Sequence, residues 1–172
     1  MGNFDNIRAL FGKSDEGHEP IHPNELIRDV VTGFQEELGQ HGITGSVKLH
    51  EDLPKIVAHK GQLEQVFINL VRNAIEAMQA DKNDHRVLQV RSERQGDNEI
   101  TLSVEDSGPG IEPKHAENIF DAFITTKPHG MGLGLALCRM IIERHSGELS
   151  VSPAYPRGSI FHIVLPILPA TR

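Results

Sequence analysis

The sequence holds a single cysteine, Cys138, among 172 residues. An intramolecular disulfide is excluded, and a reducing compartment, the cytoplasm, is the simplest expectation. Positive charge is also short, with 17 Lys and Arg against 24 Asp and Glu, a formal net charge of -7. That removes the basic footprint needed to bind a nucleic-acid backbone or an anionic membrane surface. An anionic ligand would have to be held by backbone dipoles or a metal ion. No apolar run approaches the roughly 20 residues that cross a bilayer. Met1 to Lys13 has neither the basic nor the apolar region of a signal peptide, and Asn6 stands where N-myristoylation needs Ser or Thr. What is present, 38% hydrophobic and 24% charged residues, suits one globular domain with its own core.

Ile7, Leu10 and Phe11 share a helical stripe and predict a short helix stub, followed by a polar linker from Gly12 to Pro20. His18 and His22 have the i, i+4 spacing of a helical metal site, but Pro20 between them spoils such a helix, leaving surface linker histidines. Leu26, Ile27, Val30, Val31, Phe34 and Leu38 predict one helix over Asn24 to Gln40. Short strands are expected at Val47 to Leu49 and Lys55 to Ala58. Gln62 to Gln79, with Leu63, Val66, Phe67, Leu70, Ala74, Ala77 and Met78 on one face, is the strongest helix. Arg86 to Ser92 and Ile100 to Glu105 alternate around Gly96-Asp97-Asn98 as a hairpin. A short helix within a loop, a helix from Leu133 to His145 and strands at Glu148 to Ser152 and Ser159 to Leu165 complete the chain. The order is that of an α+β domain with helices on one face of a mixed sheet, without the βαβ repeat of a Rossmann domain.

Four segments carry chemistry. Asn69 and Asn73 lie four apart on one helix face, where a shared ligand can reach both. Their amide oxygens suit Mg²⁺ and their N–H groups suit phosphate, though such a pair could equally cap backbone groups. Asp106-Ser107-Gly108-Pro109-Gly110 follows a strand, and its carboxylate can accept a hydrogen bond from an exocyclic amine, with Ile111 as an apolar wall. An ordinary Asp-Gly turn is the competing explanation. Gly130-Met131-Gly132-Leu133-Gly134-Leu135 opens into a helix whose first N–H groups can bind phosphate. Its spacing and the missing preceding strand rule out a nicotinamide site. Between the last two lies Phe120-Asp121-Ala122-Phe123-Ile124-Thr125-Thr126-Lys127, a lid-like segment whose aromatics are expected to anchor the loop on the core and whose Lys127 can reach a phosphate.

In this order the segments resemble the N box, first glycine box, F box and second glycine box of the catalytic domain of sensor histidine kinases. That family shares its ATPase superfamily with gyrase B, the chaperone Hsp90 and MutL. The likeness covers Asn24 to Pro166, and the runs Gln65 to Met78 and Phe123 to Lys127 are most similar to the oxygen- and nitrogen-sensing subgroup. The resemblance implies a Bergerat-type fold, a two-layer α/β sandwich with a mixed, mostly antiparallel sheet of about five strands under three main helices. It implies ATP and Mg²⁺ as cofactors, with Asn69 and Asn73 holding the metal and phosphates and Asp106 recognising the adenine amine. Gly108, Gly110 and Ile111 would shape the base pocket, Thr126 and Lys127 would lie near the phosphates, and Gly132, Leu133, Gly134 and Leu135 would give backbone contacts. Ser159 would support Asp106.

Two departures matter. Hydrolysing relatives carry a Glu as base where this chain has Asn69, which favours transfer to an external histidine over hydrolysis. Ala58-His59-Lys60 replaces a usual Asp at the start of the N-box helix, so that helix should be capped differently. None of the ten histidines fits the acceptor context, and Pro20 removes His18. The expectation is an ATP-binding domain over residues 21–168, with residues 1–20 as the remnant of a dimerisation helix and linker and 169–172 as a tail. It would be monomeric in isolation, would serve a separate dimerisation and phosphoacceptor domain and, indirectly, a response regulator, and would touch neither nucleic acid nor membrane. An autonomous ATPase and a non-catalytic nucleotide-binding module are the alternatives.

Overall fold

Period-two alternation in three neighbouring strands gives the sheet one covered face. The computed structural model describes residues 17–116, 118–121 and 132–167. Its strands are β1 (His18–Ile21), β2 (Ile43–Lys48), β3 (Ile56–His59), β4 (Arg86–Gln95), β5 (Glu99–Asp106), β6 (Glu148–Pro153) and β7 (Ser159–Pro166). Five of them form a sheet in the order β2-β4-β5-β7-β6, with β2 parallel to β4 and every other pairing antiparallel. Leu88 and Val90, Ile100, Leu102 and Val104, and Phe161, Ile163 and Leu165 fill the covered face. Gln89, Arg91, Thr101, Ser103 and His162 point the other way and are more accessible.

The helices are α1 (Pro23–Gly33), α2 (Gln35–Gln40), α3 (Lys60–Ala80), α4 (Pro113–Ala116) and α5 (Gly132–Arg144). α3 is central because its stripe from Leu63 through Val66, Phe67, Leu70, Ala74 and Ile75 to Met78 is almost wholly buried. It packs on β5 below and on α1 and α5 at its sides. This is the α+β sandwich with a five-stranded mixed sheet that the sequence predicts. None of the described helices is long and apolar enough to cross a membrane.

Two local expectations are corrected. The single helix predicted over Asn24 to Gln40 breaks at Phe34, whose φ of −98° and ψ of −1° leave the helix. Gly33 supplies weak helix propensity there, and the Phe34 N–H turns back to the Val31 carbonyl at 3.0 Å. The break keeps both Phe34 and Leu38 buried. The predicted linker is strand from His18 onward, since β1 pairs antiparallel with β3. Pro20, which argues against a helix, is compatible with this strand, because a two-stranded ribbon has free outer edges where a missing N–H costs nothing. The stub at residues 4–11 lies outside the described residues.

Buried polar side chains tie these layers together. Ser92 donates to the Asn24 Oδ1 at 2.7 Å and accepts from the His50 N–H at 2.9 Å, while Asn24 Nδ2 donates to the His50 carbonyl at 2.8 Å. The start of α1 is thus fastened to β4. At the other side His59 caps α3, its Nδ1 accepting from the Gln62 N–H at 3.1 Å, in place of the aspartate expected there. The His59 N–H donates to Nε2 of His145, whose Nδ1 donates to the Ile141 carbonyl at 2.7 Å. With one ring nitrogen donating and the other accepting, His145 is neutral. His18, expected as a surface linker residue, instead lays its ring 5.0 Å from that of His145.

Burial pushes His145 below the ordinary imidazole value of 6.5, outweighing the raising effect of its bond to Ile141, and repulsion from His18 and His59 adds to the lowering. The unfolded chain therefore binds the proton more readily. The stability this ring contributes is complete above pH 6.5 and is lost as pH falls from there through the lower folded-state value. Urea unfolding followed from about pH 7.5 to about pH 5 should show a falling midpoint, with His145→Gln flattening the slope. His162, lowered by burial against the raising effect of Glu105, adds a slope of the same sign. A variant with the wild-type slope would contradict the assignment.

Candidate functional site

Asp106 ends β5 and is only 4% exposed. A carboxylate buried this deeply must be hydrogen-bonded, and the Gly108 N–H donates to its Oδ1 at 2.9 Å, closing an Asx turn. Ser107, between them, accepts from the Val87 N–H at 2.8 Å and donates to the His85 carbonyl at 2.9 Å, pinning the turn to the start of β4. Ser159, also buried, lies directly opposite Asp106 in the β5–β7 register. The neighbouring Gly158 has φ +106°, and a Cβ there would run into the Asp106 carbonyl oxygen. Gly110, at φ +82°, brings its backbone so near that a Cβ would lie 3.2 Å from the Gly158 carbonyl oxygen. Ile111 is half-buried and packs on the core. The structure thus brings Asp106, Gly108, Gly110, Ile111 and Ser159 into one place.

The other side of the turn rests on α3. A Cβ on Gly108 would lie 3.4 Å from the Ala77 Cβ. Ala77 is i+4 from Asn73 and i+8 from Asn69, so the three share a stripe about 12 Å long leading from the Asp106 turn along the helix. Both asparagines are half-buried. Asn69 Oδ1 accepts from Gln65 Nε2 at 3.1 Å, and its Nδ2 donates to the Cys138 Sγ of α5 at 3.7 Å. α5 begins at Gly132, which puts Gly132, Leu133, Gly134 and Leu135 in its first turn, where N–H groups lack helical partners. Thr126 and Lys127 lie outside the described residues, as does Phe123. Phe120, just before them, is buried and edge-on to Phe161 with centroids 6.1 Å apart, as expected of an anchor.

Among the described residues no cluster of three or more His, Cys, Asp or Glu side chains is arranged to hold a metal ion. The amide oxygens of Asn69 and Asn73 are hard donors of the kind that could join a Mg²⁺ ion carried in by a phosphate ligand.

Three contributors escaped the sequence reading. Cys138 joins α3 to α5 through Asn69 and the Val66 carbonyl, and burial pushes its thiol up to about 12, so it is a packing residue and not a nucleophile. Arg157 donates from Nε to the Gly108 carbonyl at 3.0 Å, and its other end pairs with Asp81 Oδ2 at 2.7 Å. Asp81 is the C-cap of α3. No pattern of spacing marks an arginine and an aspartate 76 residues apart as partners; only the fold joins them.

The Gly158 geometry makes a direct demand. Gly158→Ala should lower unfolding free energy by about 2 kcal/mol or more, since a strained left-handed conformation costs of order 1–3 kcal/mol before any clash. Urea denaturation measures this, and a change below about 0.5 kcal/mol would count against the turn as described.

A family model of histidine kinase-, DNA gyrase B-, and HSP90-like ATPases matches residues 58–169. The sensor protein TdiS of Thauera aromatica is 38% identical over 162 residues, which is 94% of this chain and 30% of TdiS. The C4-dicarboxylate transport sensor protein DctS of Rhodobacter capsulatus is 38% identical over 144 residues, 84% of this chain and 22% of DctS. The chain therefore spans less than a third of the length of these curated relatives. Among solved structures, the nucleotide-free catalytic domain of the histidine kinase ThkA superposes with a TM-score of 0.78 at 33% identity, covering 88% of this chain and 99% of that one. Full-length ShkA in complex with AMPPNP gives 0.81 at 25% identity over 96% of this chain and 35% of ShkA. ThkA in complex with the response regulator TrrA gives 0.74 at 28% identity, over 98% of this chain and 48% of ThkA. The chain belongs to the histidine kinase-, DNA gyrase B- and HSP90-like ATPase family, with the fold of a histidine kinase catalytic domain.

Proposed function

We propose that this domain binds Mg-ATP and donates the γ-phosphoryl group to a histidine on a separate dimerisation and phosphoacceptor domain, in two-component signalling. The observation that carries this reading is the buried Asp106 carboxylate at the end of β5, in a turn flanked by α3 and the β6–β7 turn. Such a carboxylate accepts a hydrogen bond from the exocyclic amine of adenine, which a guanine in the same pose could not donate. Gly108, Gly110 and Ile111 shape the base pocket, and Ser159 backs the carboxylate. The triphosphate then runs along the α3 stripe towards Asn73 and Asn69. Amide side chains approach it without charge repulsion, which matters in a chain of net charge -7.

The α5 N-terminus, Gly132 to Leu135, supplies N–H groups and the positive end of a helix dipole to the phosphates, and Thr126 and Lys127 are assigned to the same end. Mg²⁺, when bound, neutralises charge on the transferring phosphates. In the transfer a ring nitrogen of the acceptor histidine bonds to the γ-phosphorus as the bond to the β–γ bridging oxygen breaks, releasing ADP. Asn69 has no carboxylate with which to deprotonate a water, which favours a histidine acceptor over hydrolysis.

The assigned unit is residues 21–168, with strand β1 joined to it. It acts as a monomeric cytoplasmic module with no nucleic-acid or membrane contact of its own, and it reaches a response regulator only through the phosphohistidine. The fusion of ATP domain to acceptor domain in one kinase chain is the arrangement this assignment implies for the parent protein.

Calorimetric titration with ATP and Mg²⁺ should show binding at micromolar to millimolar concentration, on the order of -4 to -8 kcal/mol. Asp106→Asn should lower affinity at least about tenfold, because it replaces an ionic acceptor by a neutral amide that can also present a donor. Absence of binding by the wild-type domain at millimolar ATP would refute the proposal. Steady phosphate release by the domain alone, lost in Asn73→Ala, would instead favour an autonomous ATPase.

A further inference from the structure

Arg157 touches both the Asp106 turn and the C-terminal end of α3. Its Nε–H donates to the Gly108 carbonyl at 3.0 Å, and its terminal NH2 group pairs with Asp81 Oδ2 at 2.7 Å. Gly108 is the residue whose N–H holds the Asp106 carboxylate. The arginine therefore grips the peptide on one side of the residue whose other side grips the carboxylate. Asp81 ends α3, and its side chain is only 15% exposed. A guanidinium held by a half-buried carboxylate has its planar fork fixed, so its direction towards Gly108 is set by α3. The adjacent Gly158 lies against the Asp106 carbonyl, and Ser159 lies opposite Asp106 in register. The run Arg157-Gly158-Ser159 is thus one wall that presses the turn against Ala77 of α3.

We infer that Arg157, clamped by Asp81, is a positioning residue for base selection: it holds the Gly108 peptide so that the Asp106 carboxylate stays aimed at the exocyclic amine of the purine. The inference rests on the proposed role of Asp106 and adds to it the residues that make the carboxylate selective. Arg157 need not touch the nucleotide. Loss of the clamp frees the turn, and what suffers is the amine contact rather than phosphate binding along α3.

Two probes separate these effects: ATP, and purine riboside 5′-triphosphate, which keeps the ring and phosphates but lacks the amine. Calorimetry with Mg²⁺ on the wild-type chain should show ATP preferred. In Arg157→Ala the preference should fall about tenfold, the usual scale for losing a charge-assisted hydrogen bond, while affinity for the amine-free analogue changes by less than about twofold. Arg157→Lys, whose compact ammonium cannot make both contacts at once, should retain an intermediate preference. Asp81→Asn keeps the side-chain shape and removes the ion pair, so it gives the same selective loss, about threefold, should Arg157→Ala fail to fold. An unchanged ATP preference in folded variants, or equal losses for both nucleotides, overturns the positioning role alone. A wild-type chain that binds both nucleotides equally overturns the assignment of Asp106 as well.

Discussion

A carboxylate buried at the end of a strand is tolerated only where hydrogen-bond donors and rigid neighbours replace the water it has lost. Asp106 imposes that condition on everything around it. Its Oδ1 is held by the Gly108 N–H, the turn is pinned through Ser107 to β4, and a wall from the β6–β7 turn closes the outside. The glycines follow from the same constraint. Gly158 must let a backbone carbonyl pass where any Cβ would collide, and Gly108 must sit against Ala77.

α3 converts this local turn into a site of useful length. One face of the helix is core, from Leu63 to Met78, and fixes it against the sheet. The adjoining stripe carries Asn69, Asn73 and Ala77, so the same rigid element would set both the base end and the phosphate end of the proposed site. Its own ends are tied by polar contacts, the His59 cap at the start and the Asp81 pair with Arg157 at the finish. α5 is held against it where Cys138 meets Asn69 and the Val66 carbonyl, and with His145 beside His59 it runs antiparallel to α3, so its N-terminus points towards the Asn73 side of the stripe.

The sequence was informative where a single element carries its own signal. The periodicity of α3, the alternation of β4, β5 and β7, and the glycines flanking Asp106 and opening α5 each follow from local sterics or burial, so spacing alone reveals them. The break at Phe34 was hidden because Leu38 continues the apolar stripe past it, and the tight turn matters only once both side chains must reach one core. β1 was hidden for a related reason: His18-Glu19-Pro20 has no apolar alternation, and its order comes from pairing with β3 and from the rings of His59 and His145. The Arg157 clamp was illegible in principle, since its partners come from two other elements. His59 lay between these cases, because the missing aspartate signalled a different cap but not which atom would provide it.

The central claim is that Asp106 reads the base while the α3 stripe and the start of α5 hold the phosphates. A crystal structure of the domain with Mg²⁺ and a non-hydrolysable ATP analogue tests it most directly. The account predicts the adenine amine within hydrogen-bond distance of an Asp106 carboxylate oxygen, about 2.7–3.2 Å, with the triphosphate beside Asn73 and the first turn of α5. A base bound elsewhere, or bound here with its amine turned away from Asp106, would contradict it.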